Sequence, residues 1–469
     1  MRKFRSYEPD QLYLLPPNLR EWLRPGHLAL FVSDLVDELN LSAIFRDYES
    51  DADRGQPPYH PAMMVKLLVY AYCVGNPSSR KIEKATWDEV AYRVLSADQH
   101  PDHDSIASFR KRHLPELAKL FAQLLQLCQK AGLVKLGHVA LDGTKVKANA
   151  SKHKAMSYER MQETEARLQR EIQALLQQAD KVDGEEDARY GKGKSGDELP
   201  EELQRRESRL AVIRAAKAEL EAEAKAKAEA EARAAREKIA ERERNEKETG
   251  KKLGGTPPRV PDPEQATPDP KAQKNFTDPE SRIMKDGATK SFEQAYNAQI
   301  VVDDTAQIIV ATAVTQQGND KRQLVPMLHK AYQNLKQAPE KASADSGYFS
   351  AEAVTHPSLT GTKLYVAVDR QKRGEQPAEP VAAIELAPDA PAVDRMKELL
   401  RSEEGRAVYK MRKAIVEPVF GQIKEARRFR RFSFRGLDNV SAEWDIIAMT
   451  HNLLKLFRSG YRVGAVCPA

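Results

Sequence analysis

The chain has 469 residues, of which 41% are hydrophobic and 31% are charged. A chain of this length is expected to form two or three domains, because one domain usually has roughly 100–200 residues. The net charge is only +6, the three cysteines lie far apart without a CxxC motif, and the most apolar run (63–74) contains Lys66. These features exclude a disulfide scaffold, a zinc finger and a membrane-spanning helix, and they predict a cytoplasmic protein.

Residues 1–135 are predicted to form an all-helical domain. Apolar residues recur at helical spacing in 28–39 and 63–70, Pro61 suits the first turn of a helix, and Gly132 suits a helix end. The basic residues of this region include Arg80, Lys81, Lys84, Arg110, Lys111, Arg112 and His113. Contact with DNA and solvated helix faces explain these side chains equally well.

The middle of the chain is predicted to be an inserted helical hairpin, from residue 155 to residue 252. Glu, Lys, Arg, Gln and Ala dominate this segment, and a stretch with several glycines (184–200) separates two helical patterns. The apolar seam of the hairpin, which is typical of a coiled coil, contains Met161, Leu168, Leu175, Leu203, Leu210, Ile213 and Leu220. Residues 253–285 are rich in Pro and are predicted to be a linker without regular structure.

Strand patterns appear on both sides of the insertion. They include HVALDGTKVKANA, AYNAQIVVDD, AQIIVATAVTQQ, KASADSGYFS and LYVAVD. Helical patterns follow at 320–335, 396–425 and 441–457. The fold class is therefore predicted to be α/β, with a mixed sheet and flanking helices in a domain divided between residues 136–154 and 286–460.

Three carboxylates are candidates for a metal site. Asp142 and Asp345 are predicted to end strands, and Glu417 lies on the helix after the last strand. Strand ends and an adjacent helix can bring such residues together, and two or three carboxylates are enough for Mg²⁺. Two ions could then activate the attacking oxygen and stabilise the leaving oxygen at a phosphate. Taken singly, each Asp also fits a turn or a helix cap, the role assigned to Asp303, Asp304 and Asp369.

A basic segment surrounds Glu417. Residues 401–435 hold eleven Lys and Arg against four Asp and Glu, a net charge of +7 against +6 for the whole chain. Such a concentration of charge beside a metal carboxylate would suit a DNA phosphate. The candidate DNA-binding residues are Tyr409, Arg412, Lys413, Lys424, Arg427 and Arg428. Phe429, Phe432 and Phe434 alternate with the arginines, and core packing explains them as well as base stacking does.

Several of these segments resemble DDE transposases of bacterial insertion sequences. The resemblance rests on LDGTK around Asp142, YNAQ at 296–299, ADSGYFS around Asp345, YKMRKAIVEPVFGQIK around Glu417, and the N-terminal YEPDQLYLLPPNLREWL. It implies an RNase H-like catalytic domain after a helical DNA-binding region, with Asp142, Asp345 and Glu417 as a triad that binds two Mg²⁺ ions, for which Mn²⁺ can substitute.

The resemblance also implies a Tyr-Arg-Glu-Lys signature around the catalytic Glu. Tyr409, Glu417 and Lys424 match it, whereas four residues separate Arg412 from Glu417 where three are usual. Either Arg412 or Lys413 therefore takes the place of the arginine. In the family these residues hold the phosphates of the DNA ends.

The implied function is cleavage at the ends of a mobile element, followed by joining of the 3′-OH ends to target DNA. The implied partners are double-stranded DNA, both as terminal inverted repeats and as target, and a second copy of the chain in the reacting complex. The implied location is the nucleoid of a bacterial cytoplasm, away from any membrane. Two alternatives remain at this point: a transposase-derived DNA-binding protein without activity, and a metal-dependent nuclease that does not join strands.

Overall fold

The computed structural model describes residues 18–49, 57–190, 201–250, 255–256, 258–287, 290–369 and 390–464. Its residues fall into two compact units. The sheet unit contains residues 1–147 and 296–469, and the arm unit contains residues 148–295. Most of the predicted N-terminal motif, the end of the predicted helix break (191–200) and Cys467 lie outside the described residues.

The described residues form fourteen α-helices and eight strands. The helices are α1 (Leu28–Glu38), α2 (Ser42–Glu49), α3 (Pro61–Cys73), α4 (Ser79–Asp88), α5 (Val90–Leu95), α6 (His103–Arg112), α7 (Leu114–Lys130), α8 (Tyr158–Tyr190), α9 (Glu201–Thr249), α10 (Leu324–Leu335), α11 (Ala351–Val354), α12 (Ala392–Arg401), α13 (Glu403–Gly421) and α14 (Leu437–Arg458). The strands are β1 (His138–Lys147), β2 (Ala155–Ser157), β3 (Gln273–Asn275), β4 (Arg282–Lys285), β5 (Phe292–Asp303), β6 (Ile309–Thr315), β7 (Lys341–Ala344) and β8 (Lys363–Val366).

The N-terminal region is helical, as predicted. Pro61 occupies the first turn of α3, and α7 ends just before Gly132, whose φ of +72° suits glycine. The N-cap of α6 is Asp102, whose carboxylate accepts hydrogen bonds from the amides of Asp104 and Ser105. The helices α1–α7 do not form a compact unit of their own but belong to the sheet unit.

The mixed sheet of the sheet unit has the strand order β6-β5-β1-β7-β8. β5 and β6 form the predicted antiparallel hairpin, while β1, β7 and β8 run parallel to one another. Helices cover this sheet: α13 packs against β1, β7 and β8, and α10 packs against β6. The predicted α/β fold class and its mixed sheet are thus confirmed.

The last helix, α14, connects the sheet to the N-terminal helices. It packs against β6 and against α3 and α7. Trp444 is fully buried, and its indole nitrogen donates to the carbonyl oxygen of Gln299 at 3.1 Å. The side chain of Asn452 bonds both backbone groups of Ile309 at 2.8 Å, which satisfies part of the edge strand β6.

The arm unit contains the predicted helical hairpin. Ion pairs join Glu165 to Arg214 and Lys217, and Glu171 to Arg206, so that α8 and α9 run antiparallel. The buried seam contains Met161, Leu168, Leu210, Ile213 and Leu220 from the predicted set, with Leu175 packed against it. The side chain of Leu203 lies outside the described residues.

The segment expected to be an irregular linker has regular structure. Residues 258–285 include a short 3-10 turn at Pro263–Gln265 and the strands β3 and β4. β3 pairs with β2, and β4 pairs with the first residues of β5. Buried Lys274 forms ion pairs with Glu219 and Glu223 of α9, each at 2.7 Å. The prolines of residues 258–285 therefore did not indicate a linker without regular structure. Short strands tolerate flanking prolines, and they take their stability from neighbouring elements.

Candidate active site

The strand register places Asp142 and Asp345 side by side. In the parallel pair β1–β7, Val139 lies opposite Ala342 and Ala140 lies opposite Ser343. Continuing this register by two residues brings Asp345 level with Asp142, although β7 itself ends at Ala344. Because neighbouring strands are about 4.8 Å apart, the two carboxylates belong to one neighbourhood.

Asp142 does not end a strand, contrary to the prediction, because β1 continues to Lys147. Gly143 does not form a turn, and a glycine is required here because a larger residue would not fit. A Cβ atom at Gly143 would lie 2.2 Å from the side-chain nitrogen of Gln299 on the adjacent strand. The glycine therefore lets the polar side chain of Gln299 approach the backbone beside Asp142.

The environment of Asp142 favours the protonated form of the acid. Burial raises its pKa to about 6; Arg412 opposes this increase, and the like charges of Asp345 and Asp320 add to it. The Nη1 atom of Arg412 lies 3.5 Å from the Oδ2 atom of Asp142. A further cation at this position would relieve the repulsion among the carboxylates.

Asp345 is held by the turn that follows β7. Its Oδ1 atom accepts a hydrogen bond from the amide of Gly347 at 2.9 Å, as the N-cap of a 3-10 turn. Tyr348 of the same turn is fully buried and donates its hydroxyl hydrogen to the side-chain oxygen of Gln299. Asp345 can therefore act both as the cap of this turn and as a residue of the candidate site, two roles that the sequence presented as alternatives.

Sequence reasoning missed a third carboxylate, Asp320, in the turn before α10. Its Oδ1 atom accepts hydrogen bonds from the side-chain nitrogens of Asn297 at 2.7 Å and Gln299 at 2.6 Å. Asp320 appeared to be an ordinary helix-start residue. The available signal was in YNAQ, because Asn297 and Gln299 put two polar side chains on one face of the predicted strand.

Glu417 lies on α13 with an exposed side chain. It precedes Lys424 by seven residues, which is close to two helical turns, and Lys424 donates to the hydroxyl of Thr144 and the carbonyl oxygen of Lys145. Among the described residues, no group of three or more His, Cys, Asp or Glu side chains is arranged to hold a metal ion. Convergence of Glu417 with the two aspartates therefore stays a prediction.

Two candidate DNA-binding residues face Asp142 and Asp345. Arg412 is buried, its guanidinium lies 5.6 Å from the ring centre of Tyr409, and it reaches Asp142. Burial raises the pKa of Tyr409, Arg412 lowers it, and the charges of Asp345 and Asp142 raise it further. Lys413, the alternative to Arg412, is exposed.

Arg427 does not fit the role predicted for it. Its side chain is buried and donates to the hydroxyl of Thr450 at 2.7 Å, to the carbonyl oxygen of Ile447 at 3.1 Å and to the side chain of Gln422. A guanidinium bonded in this way stabilises the packing of α14 and is not available to a phosphate. Arg428, the next residue, is exposed.

Core packing accounts for most of the aromatic residues among these arginines. Phe429 and Phe432 are buried, and the half-buried Phe434 lies under the guanidinium of Arg110. His451 is also buried, and burial lowers its pKa to about 3.

Comparison with protein families gives two matches. Residues 17–112 match the transposase domain (DUF772), and residues 259–453 match the transposase DDE domain. These matches support a DDE transposase. The DDE-domain match contains Asp345 and Glu417, whereas Asp142 lies between the two matched regions. Comparisons with curated proteins and with solved structures give no match.

DDE transposases use divalent metal ions. Asp142, Asp345 and Asp320 carry the carboxylate oxygens that hard divalent cations prefer, but the three side chains are not arranged as a metal-holding group. A transposase also implies DNA as a partner. Among the helices of the described residues, none has the length and apolar character needed to cross a membrane.

Proposed function

We propose that the protein cleaves DNA at the ends of a mobile element in the presence of Mg²⁺ and joins the resulting 3′-OH ends to target DNA. The observation that carries this proposal is the register of the parallel strands β1 and β7, which would bring Asp345 level with Asp142 if continued past the end of β7, in a chain with a transposase DDE-domain match. The helix α13, with Arg412 and Glu417, packs against the same two strands.

In this proposal Asp142, Asp345 and Glu417 hold two Mg²⁺ ions, for which Mn²⁺ can substitute. Bound divalent cations supply charge neutralisation at the phosphate and activation of the attacking oxygen. Arg412 holds the carboxylate of Asp142 in place through its contact at 3.5 Å. The exposed side chain of Glu417 completes the set from α13.

The proposed reaction has two steps at phosphorus. In the first, the oxygen of water attacks the phosphodiester, the bond to the 3′ oxygen breaks, and a free 3′-OH and a 5′-phosphate result. In the second, this 3′-OH attacks a phosphodiester of target DNA and replaces its 3′ oxygen, so that one ester bond forms as another breaks. Neither step requires an oxidant or a nucleotide cofactor.

The phosphates are proposed to contact Tyr409, Lys413, Lys424 and Arg428, with the helical region 1–135 recognising terminal inverted repeats. Phosphate contacts would supply much of the affinity, and base contacts the specificity. Two element ends must react together, so the reacting complex is proposed to be a homodimer in which the helical hairpin provides contacts. Such a protein would act at the bacterial nucleoid.

The decisive experiment uses the purified chain and DNA fragments that carry the inverted repeats flanking its coding region. We expect Mg²⁺-dependent cleavage at the repeat ends and joined products with a target plasmid. Binding without cleavage in Mg²⁺ or Mn²⁺ would identify the inactive DNA-binding alternative. Cleavage without joined products would identify the nuclease alternative, and either result would reject the proposal.

Lys424→Ala is expected to weaken binding of end DNA at low salt about tenfold. Its ammonium lies next to β1 and donates to the carbonyl oxygen of Lys145, three residues beyond Asp142, at 2.9 Å. If it neutralises one phosphate, the slope of log K against log salt should decrease in magnitude by about 1. Fluorescence anisotropy at several salt concentrations measures both quantities.

The matched control for this experiment is Lys397→Ala, which removes a lysine of α12 that pairs with Asp369 at 3.0 Å. This variant should keep both the affinity and the salt slope of the wild type. An unchanged salt slope in Lys424→Ala would show that Lys424 contacts no phosphate.

A further inference from the structure

The turn before α10 places Asp320 beside Gly143, in the middle of β1, and beside Gly347, just after β7. Its Oδ1 atom lies 3.0 Å from the position that a Cβ atom would take at Gly143, and its Oδ2 atom lies 3.5 Å from the corresponding position at Gly347. Gly143 follows Asp142 directly, and Gly347 donates its amide hydrogen to Asp345. The carboxylate of Asp320 thus lies between the surroundings of the two aspartates.

Two fully buried side chains of β5 fix this position. Asn297 and Gln299 both donate to the Oδ1 atom of Asp320, and Gln299 also accepts the hydroxyl hydrogen of Tyr348. Asn297 donates in addition to the carbonyl oxygen of Gln317 at 3.1 Å. The bonds occupy one oxygen of the carboxylate, so that Oδ2 is the oxygen directed away from the two amide donors.

An acceptor without a donor lies beside this carboxylate. The Oδ1 atom of Asn297 is buried and has no hydrogen-bond partner among the described residues. Its orientation is determined, because the amide nitrogen already faces two acceptors, Asp320 and the carbonyl oxygen of Gln317. A buried acceptor of this kind requires a hydrogen-bond donor or a cation nearby. A hydrated cation at the carboxylates would supply one.

The three carboxylates share one electrostatic environment. Asp320, Asp142 and Asp345 all interact with the half-buried ammonium of Lys145, whose pKa burial lowers and these carboxylates raise. Lys145 and Arg412, which lies 3.5 Å from Asp142, offset part of the repulsion among the carboxylates. The feature that points to a bound cation is therefore the Oδ1 atom of Asn297, which has no partner among the described residues.

We propose that Asp320, held in place by Asn297 and Gln299, is a further carboxylate of the cation site and contributes to divalent-cation affinity together with Asp142 and Asp345. In this structure the three carboxylates are not arranged as a metal-holding group, so a bound cation would have to draw them together. The proposal rests on the proposed function and extends it, because the expected triad contains no residue from this turn. Its consequence is that Glu417 is not the sole acidic partner of the two aspartates.

The test is Asp320→Asn in the full-length protein, with Mn²⁺ binding measured by electron paramagnetic resonance in the absence of DNA. An Asn can keep the oxygen that accepts from Asn297 and Gln299 and loses only the charge. We expect at least about a tenfold weaker Mn²⁺ affinity, with the melting temperature of the metal-free protein equal to or above that of the wild type. The rise would follow from the removal of one repelling charge.

Two further variants make the result specific. Asp304→Asn removes an exposed carboxylate just after the end of β5 and should bind Mn²⁺ like the wild type. Asp320→Glu retains the charge and should bind Mn²⁺ more tightly than Asp320→Asn. If Asp320→Asn folds poorly, Asp320→Ser, which also removes the carboxylate, takes its place in both comparisons. Wild-type Mn²⁺ affinity in Asp320→Asn, or equal weakening by Asn and Glu, would overturn the inference.

The outcome also separates this inference from the proposed function. If the wild type binds Mn²⁺ and Asp142→Asn abolishes binding while Asp320→Asn does not, the inference fails and the proposed function stands. If the wild type binds no Mn²⁺, the metal site of the proposed function fails, and the inference fails with it.

Discussion

Replacing Asp345 by Asn is expected to reduce strand cleavage at least about a thousandfold while the fold and the binding of end DNA remain. Loss of a metal-binding carboxylate removes several kcal/mol of transition-state stabilisation, and each 1.4 kcal/mol corresponds to about a factor of ten in rate. The fold should persist because the Asn oxygen can still accept the hydrogen bond from the amide of Gly347. Removing one of several repelling carboxylates also costs no stability.

Cleavage of labelled end DNA in Mg²⁺ measures the loss of activity. Circular dichroism tests whether the fold remains, and an electrophoretic mobility assay tests whether end DNA is still bound. Asp438→Asn, at an exposed carboxylate in the first turn of α14, is the control and should cleave like the wild type. Cleavage by Asp345→Asn at the wild-type rate would remove Asp345 from the site.

Trp444→Ala is expected to lower the free energy of unfolding of the sheet unit by about 3–5 kcal/mol, the usual cost of truncating a large buried aromatic side chain. Trp444 is fully buried, packs edge-on against Phe432 at 6.3 Å between ring centres, and donates to the carbonyl oxygen of Gln299. Its loss leaves a cavity and an unsatisfied carbonyl group under the strand that supports Asp320.

Urea denaturation followed by circular dichroism at 222 nm measures this loss. Trp87→Ala provides the matched control, because Trp87 is 62% exposed and stacks only on His100. We expect this control to change the stability by less than about 1 kcal/mol. Equal destabilisation by the two variants would show that α14 does not stabilise the sheet in the way described.

Most elements of the fold could be predicted because their patterns are local. The β-branched runs of β5 and β6 and the apolar spacing of α3 and α14 are typical of strands and helices. The seam of the hairpin follows the same rule, since Met161 and Leu168 repeat every seven residues and both are buried. The strands of 258–285 were missed, because three or four residues carry too little periodicity and depend on pairing with distant partners.

The triad of Asp142, Asp345 and Glu417 stays a prediction. Asp142 and Asp345 stand in short motifs at strands, and the register of β1 and β7 would bring them level with each other if continued past Ala344. Asp320 was missed because nothing local distinguishes it from a residue at a helix start. Arg427 was assigned to DNA by the charge of its segment, but its side chain lies in the core. Composition gives the charge of a segment and not the direction of each side chain.

The sequence by itself determined most of the element types and the helical hairpin, because periodicity and turn residues are local properties. Only the tertiary structure decided that Asn297 and Gln299 hold Asp320, that Arg412 faces Asp142 and that Arg427 is buried. The physical reason is that these contacts join residues far apart in the chain. Strand order and register bring them together, and no local pattern encodes either one.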